Sequence, residues 1–254
     1  MSIMRSVDSV VAVDGHVHLH GNAATTLRRA STTIAAAAPR ADLGALLLTE
    51  STGDSAFATL SRDAMCTPGR ESIALRWSGG PLDLLIIAGR QVVTAERVEV
   101  LLPGTLSAPD DGTPIDDVLD WAEERAVAAV LPWGFGKWLG RRRRTVARVL
   151  ETRRTARAGD IQGRPIGVPE RLLRTFAAGS IAGTDPLPMA GDERRIGSYG
   201  TLVSARIDPA APARSLLDAL AVTACTVTFG QRQTLPAAIR LQLALRRRSN
   251  GPSS

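Results

Sequence analysis

Val10-Val11-Ala12-Val13-Asp14-Gly15-His16-Val17-His18-Leu19-His20 is the stretch on which the reading of this chain turns. Its first four residues are apolar and mostly β-branched, so Val10–Val13 predicts a strand. An acid, a glycine and histidines at alternate positions follow. In extended backbone, alternate side chains point to one side. His16 and His18 therefore project together, and Val17 faces away from them. Two imidazoles on one side can hold a single divalent ion. Gly21 ends the run, which leaves His20 as a group that touches substrate.

Beyond this segment, short β-rich runs alternate with longer helical stretches, the order expected of βαβ units. Thr25–Ala38 predicts a helix capped by Asn22 or Thr25, with Pro39 past its end. Ala45–Thr49 predicts a strand ending at Glu50, and Asp54–Met65 a helix with Asp54 as its N-cap. Four strand-like runs come next: Ile73–Trp77, Leu82–Ala88, Gln91–Thr94 and Val98–Leu102. We read them as a β-hairpin excursion around 72–97, with Val98–Leu102 returning to a (β/α) barrel. Thr113–Arg125, opened by Pro114, predicts a helix. Ala128–Pro132 predicts a strand, Trp133-Gly134-Phe135-Gly136 a tight turn, and Lys137–Arg153 a long helix. Thr155–Gly159 predicts a strand ending at Asp160, Val168–Ala178 a helix started by Pro169, and Ser180–Gly183 a strand ending at Thr184-Asp185. Strand Leu202–Ile207, helix Ala211–Ala221, strand Thr226–Phe229 and helix Leu235–Arg247 complete the chain, with a disordered tail over 249–254. Seven or eight βα steps predict a TIM-barrel-like (β/α) barrel, with a doubly wound open sheet as the alternative.

Composition narrows the function classes. The chain has 254 residues, enough for one large core. No apolar run approaches the roughly 18 uncharged residues of a membrane helix, and no signal-peptide segment opens the chain. These features predict a cytoplasmic protein with no membrane partner. Cys66 and Cys225 stand far apart, outside any metal-like spacing, and read as buried thiols. The net charge is +6, carried almost wholly by arginine, since Lys137 is the single lysine. That excess leans toward a small anionic substrate. Aromatics make up 4% of the residues and few stand among the arginines, so nucleic acid is an unfavoured partner. Arg141–Arg144 occupy four successive helical positions and point all round the axis, so they cannot form one flat phosphate-binding face.

Val13-Asp14-Gly15-His16-Val17-His18-Leu19 resembles the first-strand His-x-His of the amidohydrolase-like metal hydrolases, a group that includes amidohydrolases, TatD-type deoxyribonucleases and PHP-type phosphoesterases. Ile181-Ala182-Gly183-Thr184-Asp185 is similar to the late-strand Asp of the same barrels. The resemblance implies one barrel domain over 1–248. It also implies a divalent ion, zinc or manganese, held by His16, His18 and Asp185. Asp185 would double as the base for a metal-activated water that hydrolyses an amide, ester or phosphoester. Glu50 and Asp160, both at predicted strand ends, are candidate further ligands. His20, Lys137 and Arg164 are candidate substrate contacts, Arg164 through a bidentate grip on a carboxylate or phosphate.

The chain departs from the group in one respect. All three of its histidines lie in His16–His20, so the later-strand histidines of these hydrolases are missing and a binuclear site of the usual sort is excluded. Two readings follow. One is a mononuclear hydrolase; the other is a non-catalytic barrel of hydrolase ancestry that binds a ligand or a partner protein.

Overall fold

A computed structural model describes residues 7–134, 137–168, 179–189, 191–223 and 227–241. The expected helix Val168–Ala178 beyond its first residue, Phe135 and Gly136 of the tight turn, Cys225, the end of the last helix with Arg246–Arg248, and the tail 249–254 all lie outside that set.

Among the described residues, two mixed sheets form the frame. The first has seven strands: β1 (Val7–Val17), β2 (Leu43–Leu48), β3 (Cys66–Pro68), β4 (Ala74–Trp77), β5 (Leu84–Ile87), β11 (Tyr199–Ile207) and β12 (Val227–Gly230), in the order β12-β11-β1-β2-β5-β4-β3. The second has five: β6 (Gly89–Val93), β7 (Glu99–Pro103), β8 (Ala129–Pro132), β9 (Ala156–Ile161) and β10 (Ser180–Gly183), in the order β10-β9-β8-β7-β6. Neither closes into a barrel, and the predicted (β/α) barrel is corrected accordingly. The alternation of strands and helices carries no direction, and direction is where the expectation fails. β11 returns antiparallel to β1, β12 antiparallel to β11, and β3-β4-β5 and β6-β7-β8 are antiparallel runs. A (β/α) barrel needs parallel neighbours throughout.

The expected hairpin excursion is corrected for a related reason. β4 and β5 pair in the first sheet, while β6 and β7 pair in the second. The chain thus crosses between sheets at Ala88. Gly89 permits this crossing, because a Cβ there would collide with the Leu48 carbonyl and meet the Leu102 carbonyl oxygen at 3.0 Å. The sheets also meet at an isolated bridge between Glu50 and Arg90 and where β10 lies beside β1 and β11. There Ala182 N donates to Thr201 Oγ1 over 2.8 Å.

Side-chain alternation divides the core. Odd residues of β1 and β2 (Val11, Val13, Ala45, Leu47) turn inward with Leu85, Ile87, Leu101, Val130 and Ile181, so the two sheets share one apolar interior. Even residues (Ala12, Leu46, Leu48) face outward onto Leu27, Ala30 and Ile34 of α1 (Ala23–Ala37). Asn22 caps α1, accepting from Thr25 N at 2.9 Å. Helices α3 (Ile115–Glu124) and α4 (Gly140–Thr152) cover the outer face of the second sheet through Ile115, Val118, Leu119, Val146 and Val149. α5 (Pro212–Val222) packs Ala213, Leu216 and Leu220 onto the shared interior, and residues 235–241 are helical. α2 shrinks to Ala56–Leu60. Asp54 does not cap it; Glu50 Oε1 accepts from Phe57 N at 2.7 Å in its place.

β1 and β10 approach closely because Gly15 and Gly183 face each other's strand. A Cβ on Gly183 would collide with His16 N, meet His16 Cβ at 2.8 Å and meet Asp14 Oδ1 at 3.0 Å. Gly183→Ala is therefore expected to lower stability by about 1–3 kcal/mol in urea unfolding. Gly163→Ala, whose Cβ would meet nothing nearer than Ile161 at 3.4 Å, is expected to change it by less than about 0.5 kcal/mol.

Candidate metal centre

His16 and His18 stand at the end of β1, where its register with β2 shifts between Asp14 and Val17. That shift reverses the inward phase of Val11 and Val13, so Val17 is buried on the α1 side while the two imidazoles that flank it converge. Their Nε2 atoms lie 3.1 Å apart, and His16 Nε2 lies 3.5 Å from Asp185 Oδ1. These three are the described residues that could jointly hold an ion, their donor atoms all within 4.8 Å of one another. His16 is buried, and His18 and Asp185 are half-buried.

Asp185 reaches this point through an unusual backbone. Its φ is +48°, in the left-handed region that Asp tolerates better than most residues. Such a conformation persists only where the surroundings over-determine it, and here they do. Asp185 N donates to the His16 carbonyl at 2.9 Å. The preceding Thr184 is held by Asp14: Thr184 N and Oγ1 donate to its carboxylate at 2.8 and 2.6 Å, and Gly197 N donates at 2.9 Å. On the other side, Arg195 Nη2 donates to the Thr184 carbonyl at 2.7 Å while its Nη1 pairs with Asp192.

Asp14 and Arg195 are functional-frame residues that sequence reasoning missed. An acid between Val13 and Gly15 in a strand signals a buried carboxylate that needs donors. The donors lie 170 and 183 positions downstream, beyond the reach of local pattern.

Burial shapes the electrostatics. It raises the Asp14 carboxyl to about 6 against four opposing hydrogen bonds. It lowers the His18 imidazole to about 4, assisted by the neighbouring charge of His16. Burial also raises Asp185, but His16, His18, Lys137 and Arg195 together outweigh it and hold that carboxyl below the ordinary aspartate value.

The donor set fits a metal ion. A tetrahedral ion with bonds of about 2.0–2.1 Å holds its ligand atoms about 3.3 Å apart, between the two separations found. Two imidazoles and one carboxylate leave coordination positions open, as catalytic sites require. His16 Nδ1 departs from the usual pattern: it is buried with no hydrogen-bond partner among the described residues, whereas ligating histidines normally donate from the second nitrogen.

The other candidate residues are not part of this group of donors. Asp160 is gripped by Arg164 at 2.6 and 2.7 Å and accepts from Tyr199 Oη at 2.8 Å. Both carboxylate oxygens are thus taken, and the Arg164 guanidinium is turned to this internal partner. Burial and Asp160 push the Tyr199 phenol upward. Glu50 caps α2 and pairs with Arg90 at 3.3 Å. Lys137 pairs with Glu99. His20 stacks on His18, ring centroids 6.0 Å apart, and lines an open cleft of about 430 Å³ with the first turn of α1, Arg29, Pro188 and Met189.

This arrangement of sheets has been seen elsewhere. The chain superposes on PsfC from Pseudomonas syringae PB-5123 with a TM-score of 0.62 at 15% identity, covering 94% of this chain and 98% of that one. It superposes on the lesion-specific endonuclease PfuEndoQ from Pyrococcus furiosus with a TM-score of 0.53 at 11% identity, covering 93% of this chain and 66% of that one. A third match is Endonuclease Q in complex with a 27-mer duplex substrate carrying an abasic lesion at its active site, with a TM-score of 0.50 at 11% identity, covering 93% and 67%. The chain thus spans about two thirds of each endonuclease. No protein-family model and no curated protein matches its sequence. At these identities the likeness is one of fold.

The comparison corrects the expectation that nucleic acid is an unfavoured partner. Endonuclease Q, a protein of similar fold, is seen holding a duplex substrate. Duplex binding draws chiefly on cations facing phosphates, and aromatic stacking matters for unpaired bases. Among the described residues, no helix is long and apolar enough to cross a membrane.

Asp14 and His18 make opposite contributions to acid stability. Folded protein keeps the Asp14 proton to about pH 6, while the unfolded chain loses it near 3.8, so this term falls as pH rises through that window. His18 titrates near 4 when folded and near 6.5 when unfolded, so its term rises across the same window. In chelator-treated protein the two largely offset, and the urea midpoint is expected to change little between about pH 4.5 and 6.5. His18→Gln removes the rising term, and the variant is expected to be less stable at the higher pH. A midpoint that climbs with pH in the variant would contradict the assignment.

Proposed function

We propose that this protein is a metal-dependent hydrolase of phosphoester bonds, with nucleic acid as its substrate class. The observation that carries the reading is the meeting of His16 Nε2, His18 Nε2 and Asp185 Oδ1 at separations of 3.1 and 3.5 Å. The likeness of fold to an endonuclease holding a duplex substrate supports a phosphodiester over an amide or a carboxylic ester.

His16, His18 and Asp185 would hold one divalent ion, zinc or manganese. Such an ion, when bound, supplies Lewis-acid polarisation of a phosphoryl oxygen and a water that ionises near neutral pH. The chain's own residues do the rest. Asp185, held below the ordinary carboxylate range, is ionised at neutral pH and has a carboxylate oxygen able to take the proton of the attacking water. The water oxygen forms the new bond to phosphorus, the bond to the leaving alcohol breaks, and that alcohol oxygen gains a proton from solvent. Asp14, Thr184 and Arg195 keep the Asp185 carboxylate in place, which fixes the base relative to the two imidazoles. Lys137, close enough for its charge to act on Asp185, favours an anionic phosphoryl group at the same rim.

The purified full chain is expected to carry about one divalent ion by elemental analysis, three ligands from one chain making one site. His16→Ala/His18→Ala is expected to lose it while keeping the circular dichroism of the parent. Asp185→Asn is expected to lower kcat on a chromogenic phosphodiester by about 10²–10⁴. Folded protein that takes up no metal would favour the non-catalytic ligand-binding reading instead.

A further inference from the structure

We propose that the first turn of α4 is a docking surface for the phosphate backbone of double-stranded nucleic acid, presented by Arg141 and Arg144 beside the His16–His18–Asp185 centre. The choice of nucleic acid rests on the hydrolase reading; the surface itself rests on the charge distribution of the helix.

α4 is electrostatically divided. In its second half, Arg148 makes a two-pronged pair with Asp116 of α3, each contact 3.0 Å long. Just past its end, Arg153 pairs with Asp120 and Glu123 at 2.7 and 3.1 Å. Those cations serve the α3–α4 contact. Its start, Gly140 followed by four successive arginines, holds no acid. Arg142 and Arg143 are half-buried against the protein, whereas Arg141 and Arg144 are exposed and form no ion pair among the described residues. Positions three apart share a helix face, so burial selects from the all-round run one pair that points the same way. Cations in a first turn oppose the helix dipole, so these two gain nothing from the helix that carries them. Their favourable partner is an external anion.

The turn's position suits a substrate. β8, β9 and β10 run parallel, so the segments leaving them emerge on one rim. Trp133, which follows β8, lines the same small cavity as Asp185, which follows β10. α4 starts seven residues after Trp133, with Lys137 between them. Arg141 and Arg144 are about 4.5 Å apart along the helix axis, comparable to the roughly 3.4 Å of duplex axis per phosphate on one strand. An anionic membrane fits less well. A helix lying on a bilayer inserts an apolar face, and that of α4 (Val146, Val149, Leu150) is committed to the core.

The test is fluorescence anisotropy of a labelled 20-base-pair duplex with the full chain in EDTA, between about 50 and 200 mM salt. Chelation removes hydrolysis, so a failed hydrolase reading leaves the binding result intact. Conversely, lost duplex binding with persisting hydrolysis of a small phosphodiester overturns only the docking surface. Arg141→Gln/Arg144→Gln is expected to weaken binding at least about tenfold at the lowest salt. It should also make the slope of log K against log salt shallower by about two. Arg40→Gln/Arg62→Gln, altering two exposed arginines elsewhere, is expected to match the parent. The proposal is overturned by an unchanged slope in the first variant, or by an equal loss in the second. Binding to phosphatidylserine vesicles without binding to the duplex overturns it as well.

Discussion

A single carboxylate ties the two sheets together at the point where chemistry is proposed. Asp14 lies fully buried in β1 and accepts hydrogen bonds from Thr184 N, Thr184 Oγ1 and Gly197 N. Those groups lie on the segment leaving β10 and in the turn before β11, so one side chain holds three parts of the chain in register. Burying a carboxylate is costly without donors, and satisfying it this fully makes the geometry around it specific. The left-handed backbone of Asp185 and its approach to His16 both follow from that fixed point.

The same junction depends on what is missing from it. Gly15 and Gly183 let β1 and β10 lie closer than any side chain would permit, and Gly89 lets the chain leave one sheet for the other beneath the Leu48 carbonyl. Close backbone approach at one place and a hydrogen-bonded acid at the next replace the continuous strand pairing of a closed barrel. The sheets stay distinct, yet their inner faces share one apolar interior. The centre lies on their common rim and not inside either sheet.

The basic excess of the chain is unevenly used. Arg164 is consumed by Asp160, Arg195 by Asp192 and the Thr184 carbonyl, and Arg148 and Arg153 by the acids of α3. These pairs hold loops and helices, and the exposed ones add little stability. Arg141 and Arg144 are different in being exposed at a helix start, where neither an ion-pair partner among the described residues nor the dipole favours them. Net charge alone does not distinguish these uses; only the pairing does.

Most strands and helices were legible in the sequence, because apolar periodicity and caps act over a few residues. Ser180–Gly183 has the expected bounds, and Asn22 caps α1 as anticipated. The convergence of His16 and His18 was legible too, since alternation in a strand dictates it. Strand direction, sheet membership and the partners of Asp14, Glu50, Asp160 and Arg164 were not. Each depends on which distant segment pairs with which, and that is settled when apolar faces are buried together. Local pattern thus determined the elements and two of the three proposed metal donors. Bringing Asp185 to those imidazoles required the tertiary fold, because its place is set by hydrogen bonds that span 170 residues.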